Sequence, residues 1–276
     1  MKLFLKTKDF SVSGESFELL KDEDLDMLIT TPQPNDLALY YDSENYISHT
    51  DAKTSFTDRL YQTIKRRNLK NKTQIADNQN VEHKNLLDIG AGTGDFLVSA
   101  KSNGFSVSGV EPNEKARTNA ASKGIELHKD LGELNGMQFD VITLWHVLEH
   151  LPNLDQQIEQ IVSLLKEDGS LFVAVPNFKS MDAKYYKNFW AGYDVPRHLW
   201  HFSRTAISKL FEKHHMKVVR TRPMLFDAFY VSMLSEKYKG NPFYLISAFF
   251  VGLWSNFSAW FTKEHSSIIY ELKRAE

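Results

Sequence analysis

Residues 85–96 read Asn-Leu-Leu-Asp-Ile-Gly-Ala-Gly-Thr-Gly-Asp-Phe, a short apolar run that breaks into three alternating glycines and then into a helix-forming stretch. Glycines let a backbone turn tightly and approach a ligand without a Cβ clash. The helix that follows begins with unpaired N–H groups. A second acid, Glu111, closes the next apolar run in Gly109-Val110-Glu111-Pro112-Asn113. Its distance from the turn suits a carboxylate that reaches two ribose hydroxyls. The glycine spacing is G-x-G-x-G rather than the G-x-G-x-x-G of dinucleotide folds, and Asp88 stands two residues before it. A carboxylate there would repel a pyrophosphate but suits a ligand carrying an ammonium and a sulfonium.

The rest of the chain alternates in the same way. Apolar runs at 85–90, 106–110, 125–128, 139–145, 170–175, 217–221 and 267–272 read as strands, and 95–102, 114–122, 155–166 and 205–214 as helices. Strands and helices that alternate at this spacing imply a parallel sheet. The expected fold is α/β: a Rossmann-like, mostly parallel, seven-stranded sheet with helices on both faces. Residues 1–52, broken by Pro32 and Pro34, read as an N-terminal cap on a domain over 53–276. Phe56, Leu60 and Ile64 recur at helical spacing, and 71–84 reads as a polar loop. Within the domain, 177–203 is expected as an acceptor-side insertion and 225–261 as a helical aromatic insertion or lid.

Several motifs together resemble one family. Asp88-x-Gly90-x-Gly92-x-Gly94 resembles motif I of class I S-adenosylmethionine-dependent methyltransferases, and Glu111 matches that family's ribose-binding acid. Phe139-Asp140-Val141-Ile142 through Glu149-His150-Leu151-Pro152 resembles its strand-four motif. Lys166-Glu167-Asp168-Gly169-Ser170-Leu171 resembles its Lys-x-x-Gly-Gly turn, with Ser170 in place of the second glycine. Residues 193–202, Tyr-Asp-Val-Pro-Arg-His-Leu-Trp-His-Phe, resemble a narrower bacterial group, the methyltransferase type 23 family. The resemblance implies S-adenosylmethionine as cofactor. Gly90 and Gly92 would pack under its methionine part, with Gly94 in the same cofactor-binding turn; Asp88 and nearby backbone would serve its amino group, and Glu111 its ribose. Pro112, Asp130 and Leu131 would lie near adenine, and His146 would face the sulfonium.

The implied reaction is transfer of a methyl group to O or N of a small-molecule acceptor, such as a lipid, quinone or glycan precursor. An acceptor proton must also leave, and a histidine near neutral pKa suits that task. His146, His198 and His201 are the candidate bases, and Arg197 a candidate partner for an acidic substrate group. The competing reading of Arg197 is an ion pair with Asp194. Tyr41, Tyr46 and His49 of the cap are either closing residues or ordinary packing. Ubiquinone-biosynthesis O-methyltransferases have a stretch like 146–150 with two acids and a histidine. Here His146 replaces the first acid, and no metal is assigned. A non-catalytic S-adenosylmethionine binder or interaction protein is the alternative. An NAD(P)-dependent oxidoreductase ranks lower, because no Tyr-x-x-x-Lys signature accompanies the glycines.

Charge and composition narrow the partners. The net charge is −2 and no long basic run occurs, so nucleic acid is not expected. The chain has no cysteine, which excludes disulfides and thiolate sites. The first residues lack the pattern of a secretory leader, so a cytoplasmic protein is expected. Residues 243–261 carry no charge and are about long enough to span a bilayer. Their serines and scattered aromatics favour a buried or interfacial helix, in the core or at a homodimer contact, over membrane-surface contact.

Overall fold

The computed structural model describes residues 1–41, 68–77 and 84–275. The periodic stretch of Phe56, Leu60 and Ile64, together with Tyr46 and His49, lies outside the described residues. The chain divides into two compact units: Met1–Tyr46 with His146–Gln157 and Val173–Glu276, and Ile47–Trp145 with Ile158–Phe172. Strands β4 (Asn85–Ile89), β5 (Ser106–Val110), β6 (Phe139–Trp145), β7 (Leu165–Pro176), β9 (Met216–Pro223) and β10 (Ser267–Arg274) form one sheet of order β5-β4-β6-β7-β10-β9. β4 pairs in parallel with both β5 and β6, while β9 and β10 run antiparallel.

Six strands stand where seven were expected. The missing one is 125–128, which is reduced to a single parallel bridge between Val110 and His128. Ile125 is its one fully buried side chain. Two backbone bonds, Glu111 N–H to His128 O and His128 N–H to Gly109 O, complete what pairing it has. Two further boundaries differ. Residues 71–76 are helical where a loop was expected: the polar sequence hides a narrow buried stripe, Thr73 and Ala76. The helix expected to reach 166 ends at Ser163, because fully buried Leu165 already belongs to β7.

In the unit that carries β4, Leu86, Leu87, Ile89, Val141, Ile142 and Leu144 are buried side chains of two neighbouring strands. Strands covered on both faces read as continuous apolar runs, which is why the sequence shows them plainly. The helix Asp95–Ser102 buries Phe96, Leu97 and Ala100. The helix Glu114–Ser122 is capped by the Asn113 side chain, which accepts the Ala116 N–H. Gly109 is closely packed: a Cβ there would stand 2.5 Å from a Leu127 methyl and 2.6 Å from a Leu97 methyl.

The other unit contains a second sheet. β1 (Lys2–Lys8), β2 (Ser16–Asp22) and β3 (Met27–Thr31) are antiparallel, and β3 pairs with β8 (Trp200–His201). Phe17, Leu19 and Leu28 bury one face of it with Tyr186, Trp190 and Tyr193. Between β9 and β10 lie two helices, Asp227–Tyr238 and Tyr244–Thr262. Of the buried and interfacial readings of the second, the buried one does not hold: Ala248, Gly252, Ser255 and Ala259 are buried, and its large apolar side chains are exposed.

Candidate cofactor and catalytic site

The glycine turn has the backbone that its sequence demands. Gly90, Gly92 and Gly94 have φ of 70°, 54° and 75°, in the left-handed region that favours glycine. A Cβ on Gly92 would meet nothing within 4 Å, so open space lies above the turn. Gly94 is different, since a Cβ there would stand 3.0 Å from Ala120. It also caps the Asp95–Ser102 helix without a side-chain hydrogen bond, so the helix opens on backbone N–H groups.

Two carboxylates flank this space. Glu111 accepts the Gly92 N–H at 2.9 Å through one oxygen and the Asn113 N–H at 2.9 Å through the other. Both bonds fix the carboxylate at the turn and leave lone pairs for hydroxyl donors. Asp88 is buried at the end of β4 and accepts a 2.6 Å hydrogen bond from the Thr143 hydroxyl. Burial pushes its pKa up to about 7, against the Thr143 bond and the charge of Lys72, which lower it. A buried carboxyl of this kind is a receptor for an ammonium group, because a cation beside it restores its ionised form. The residues therefore fit S-adenosylmethionine, whose diol would donate to Glu111 and whose ammonium would face Asp88.

Lys72 stands 4.7 Å from the centroid of the Trp145 ring, and Phe96 packs edge-on to the same ring at 5.6 Å. Sequence reasoning missed Lys72, because it placed the residue in a loop, and it missed Thr143 inside an apolar run. Asp130 caps the short 3₁₀ turn Leu131–Leu134 by accepting the Gly132 N–H, and Leu131 is buried. Pro112 O and Glu111 O both accept from Arg117 Nη1.

The candidate catalytic residues gather in the other unit. His146 has a φ of 59° and is held at both ring nitrogens, Nε2 3.1 Å from Asp227 and Nδ1 3.4 Å from Glu149. Burial alone would lower its pKa; the two carboxylates outweigh that and hold it at about 9. His146 is thus an imidazolium at neutral pH, not the free base the sequence suggested. Asp227 was not foreseen, although an acid between Phe226 and Ala228-Phe229 was a usable signal.

His150 is kept neutral, its pKa pushed down to about 4 by burial and by the neighbouring His198 charge. Its Nδ1 lies 2.9 Å from the Tyr41 hydroxyl and 3.0 Å from Arg197 O. Glu149 is buried, and beyond the His146 contact its oxygens have no hydrogen-bond partner among the described residues. Glu149, His150 and His198 each bring one ligand atom within 4.8 Å of the others. Among the described residues, this trio is compact enough to hold a cation.

Arg197 is buried and committed to protein partners. Nε and Nη2 grip Asp194 at 3.0 and 2.6 Å, Nη2 also reaches Asp9 at 3.1 Å, and Nη1 donates to Tyr40 O at 3.0 Å. Its place among these groups makes it an organiser of the loop, and the ion pair with Asp194 is the geometry present. His198 bonds Gly192 O through Nδ1 at 3.0 Å. His201 lies 3.0 Å from the Thr30 hydroxyl, and burial keeps its pKa well below the usual value. Arg197 and His201 therefore have protein partners in the positions where the sequence reading had placed substrate.

Fold and turn together define the class of S-adenosylmethionine-dependent methyltransferases. A methyltransferase-domain family model matches residues 58–221, and the chain belongs to that family. The ubiquinone biosynthesis O-methyltransferase of Haemophilus ducreyi is 33% identical over 108 residues, which cover 34% of this chain and 46% of the relative. That of Vibrio atlanticus is 34% identical over 109 residues, covering 35% and 46%. The chain thus spans a little under half the length of these curated relatives. Among solved structures, magnesium protoporphyrin IX methyltransferase from Synechocystis with bound S-adenosylhomocysteine matches with a TM-score of 0.56 at 17% identity, over 86% of this chain and 97% of that one. A sarcosine dimethylglycine methyltransferase fold from Galdieria sulphuraria matches at 0.53 and 12% identity, over 79% and 88%. These two share the fold.

Proposed function

We propose that the protein transfers the methyl group of S-adenosylmethionine to an oxygen of a small-molecule acceptor, with a phenolic quinone precursor as the favoured class. The observation that carries the proposal is the Glu111 carboxylate fixed on the Gly92 N–H beside the buried Asp88 carboxyl. The quinone class is supported by the names of the curated relatives. The bound cofactor supplies an electrophilic methyl carbon, so the protein's task is alignment and exclusion of water. Glu111 orients the sugar, Asp88 anchors the amino-acid end, and Pro112, Asp130 and Leu131 border the adenine. His146, held between Asp227 and Glu149, acts as a positioning cation at neutral pH and becomes available as a base only as pH rises toward 9. A cytoplasmic site of action belongs to this proposal.

Transfer of labelled methyl from S-adenosylmethionine to catechol-type acceptors tests it. Product carrying the label on oxygen is the expected result. Cofactor binding without turnover on any phenol, amine or carboxylate would leave the non-catalytic binder as the better account. The oxidoreductase alternative is set aside by the family match.

A further inference from the structure

The helix Tyr244–Thr262 is built inside out. Its buried positions, Ala248, Gly252, Ser255 and Ala259, recur at helical spacing and carry small side chains. The opposite face presents large ones: Ile246, Phe250, Trp254 and Trp260 are 58–65% exposed, and Phe261 is 75% exposed. Leu225, Phe226 and Tyr230 are also exposed, and Asn256 Nδ2 ties Leu225 O to the middle of the helix. Isolated exposed apolar residues need no explanation, but a continuous aromatic face does.

The buried face is pinned, so the helix cannot roll its apolar side inward. A Cβ on Gly252 would stand 2.7 Å from the Phe229 ring, which shows how closely the two helices approach. Ser255 donates to Asp182 at 2.6 Å, and the same buried carboxylate accepts from Trp190 Nε1 at 2.8 Å and Ser266 at 2.7 Å. A helix held on one side by close packing and the Ser255–Asp182 bond is suited to lie on a bilayer rather than to cross it.

Charge selects the occupant. No charged residue stands between Lys239 and Lys263. Lys237 and Lys263 are exposed at the two ends of the apolar stretch, while Lys239 pairs with Glu236 at 3.7 Å. The neighbouring acids are withdrawn: Glu236 is buried, and Glu264 is partly buried and accepts from Asn177 at 2.7 Å. A second copy packed on this face, in either direction, would bring lysines against lysines at both ends. An anionic lipid surface neutralises them and buries the aromatics between them, with the lysine stems lying along the apolar boundary. We infer that the Tyr244–Thr262 helix, with Leu225, Phe226 and Tyr230, seats the protein on the surface of an anionic phospholipid bilayer.

The inference does not rest on the methyl-transfer reading, and it is tested without it. The full chain is sedimented with vesicles of phosphatidylcholine and phosphatidylglycerol, and with phosphatidylcholine alone. The expected result is co-sedimentation that favours the anionic vesicles. Trp254→Ser with Trp260→Ser should weaken it about tenfold or more, and Lys237→Glu and Lys263→Glu about fivefold each. These side chains are exposed, so thermal melting should stay close to that of the parent and report that the fold is intact. Brominated lipid should quench the tryptophan fluorescence of the parent more than that of the double serine variant. Protein that remains in the supernatant with both vesicle types, or that sediments equally well in every variant, would overturn the inference. So would a stable dimer in solution that the double serine variant dissociates.

Discussion

Asp88 is a carboxyl placed where water cannot stabilise its charge, with Thr143 as its hydrogen-bond donor. With a pKa near 7, it ionises across the neutral range. An ammonium ligand binds the ionised form better, so affinity for S-adenosylhomocysteine should rise as pH increases from 6 to 8 and level off above. Asp88→Asn should bind more weakly and show no such rise, as read by calorimetry at three pH values. His146 has the opposite sign. Its pKa is raised from 6.5 to about 9, so the stability it contributes is full below about 6.5 and fades as pH rises through 9. Asp227→Asn should therefore destabilise the protein in urea at pH 6 and have little effect near pH 10. Reading the sequence found both His146 and Asp88 but not their charge states. Those are set by Asp227, 81 positions further on by number, and by Thr143, one strand away.

Elements differ in how plainly the sequence shows them. β4 and β6 are mostly apolar because neighbours cover both faces, and both were legible to within a residue. The edge segment 125–128 offers one buried side chain and collapses to a bridge, so its apolar residues misled. β1 was hidden for a related reason: its lysines point outward, and only Thr7 is buried. Arg197 shows how distant elements are tied. It joins the loop after Asp194 to Asp9, whose carboxylate also accepts from Ser11 and Ser13. Asp9 is held well below the usual carboxylate range: burial opposes ionisation, and Ser13, Ser11 and Arg197 overcome it. Removing one member of a buried pair strands the other charge, so Arg197→Met should cost roughly 3–5 kcal/mol in urea unfolding. Loss of substrate affinity with unchanged stability would instead return Arg197 to the acceptor role.

At the scale of the whole molecule, one unit carries the glycine turn and the two carboxylates on which the proposed cofactor binding rests. The other carries a histidine–carboxylate cluster. The family was legible because its motifs are local. Which face of the aromatic helix is exposed was not legible, since hydropathy reports how apolar a segment is and not which way its side chains face. Everything assigned to the enzyme depends on Glu111 and Asp88 receiving one cofactor. Calorimetry of the parent and Glu111→Ala with S-adenosylhomocysteine tests this most directly. Saturable one-to-one binding by the parent, weakened at least about thirtyfold by the substitution, is the predicted result, since it removes charge-assisted hydrogen bonds worth roughly 2 kcal/mol. A parent that takes up no heat of binding, or a variant that binds as tightly as the parent, would contradict it.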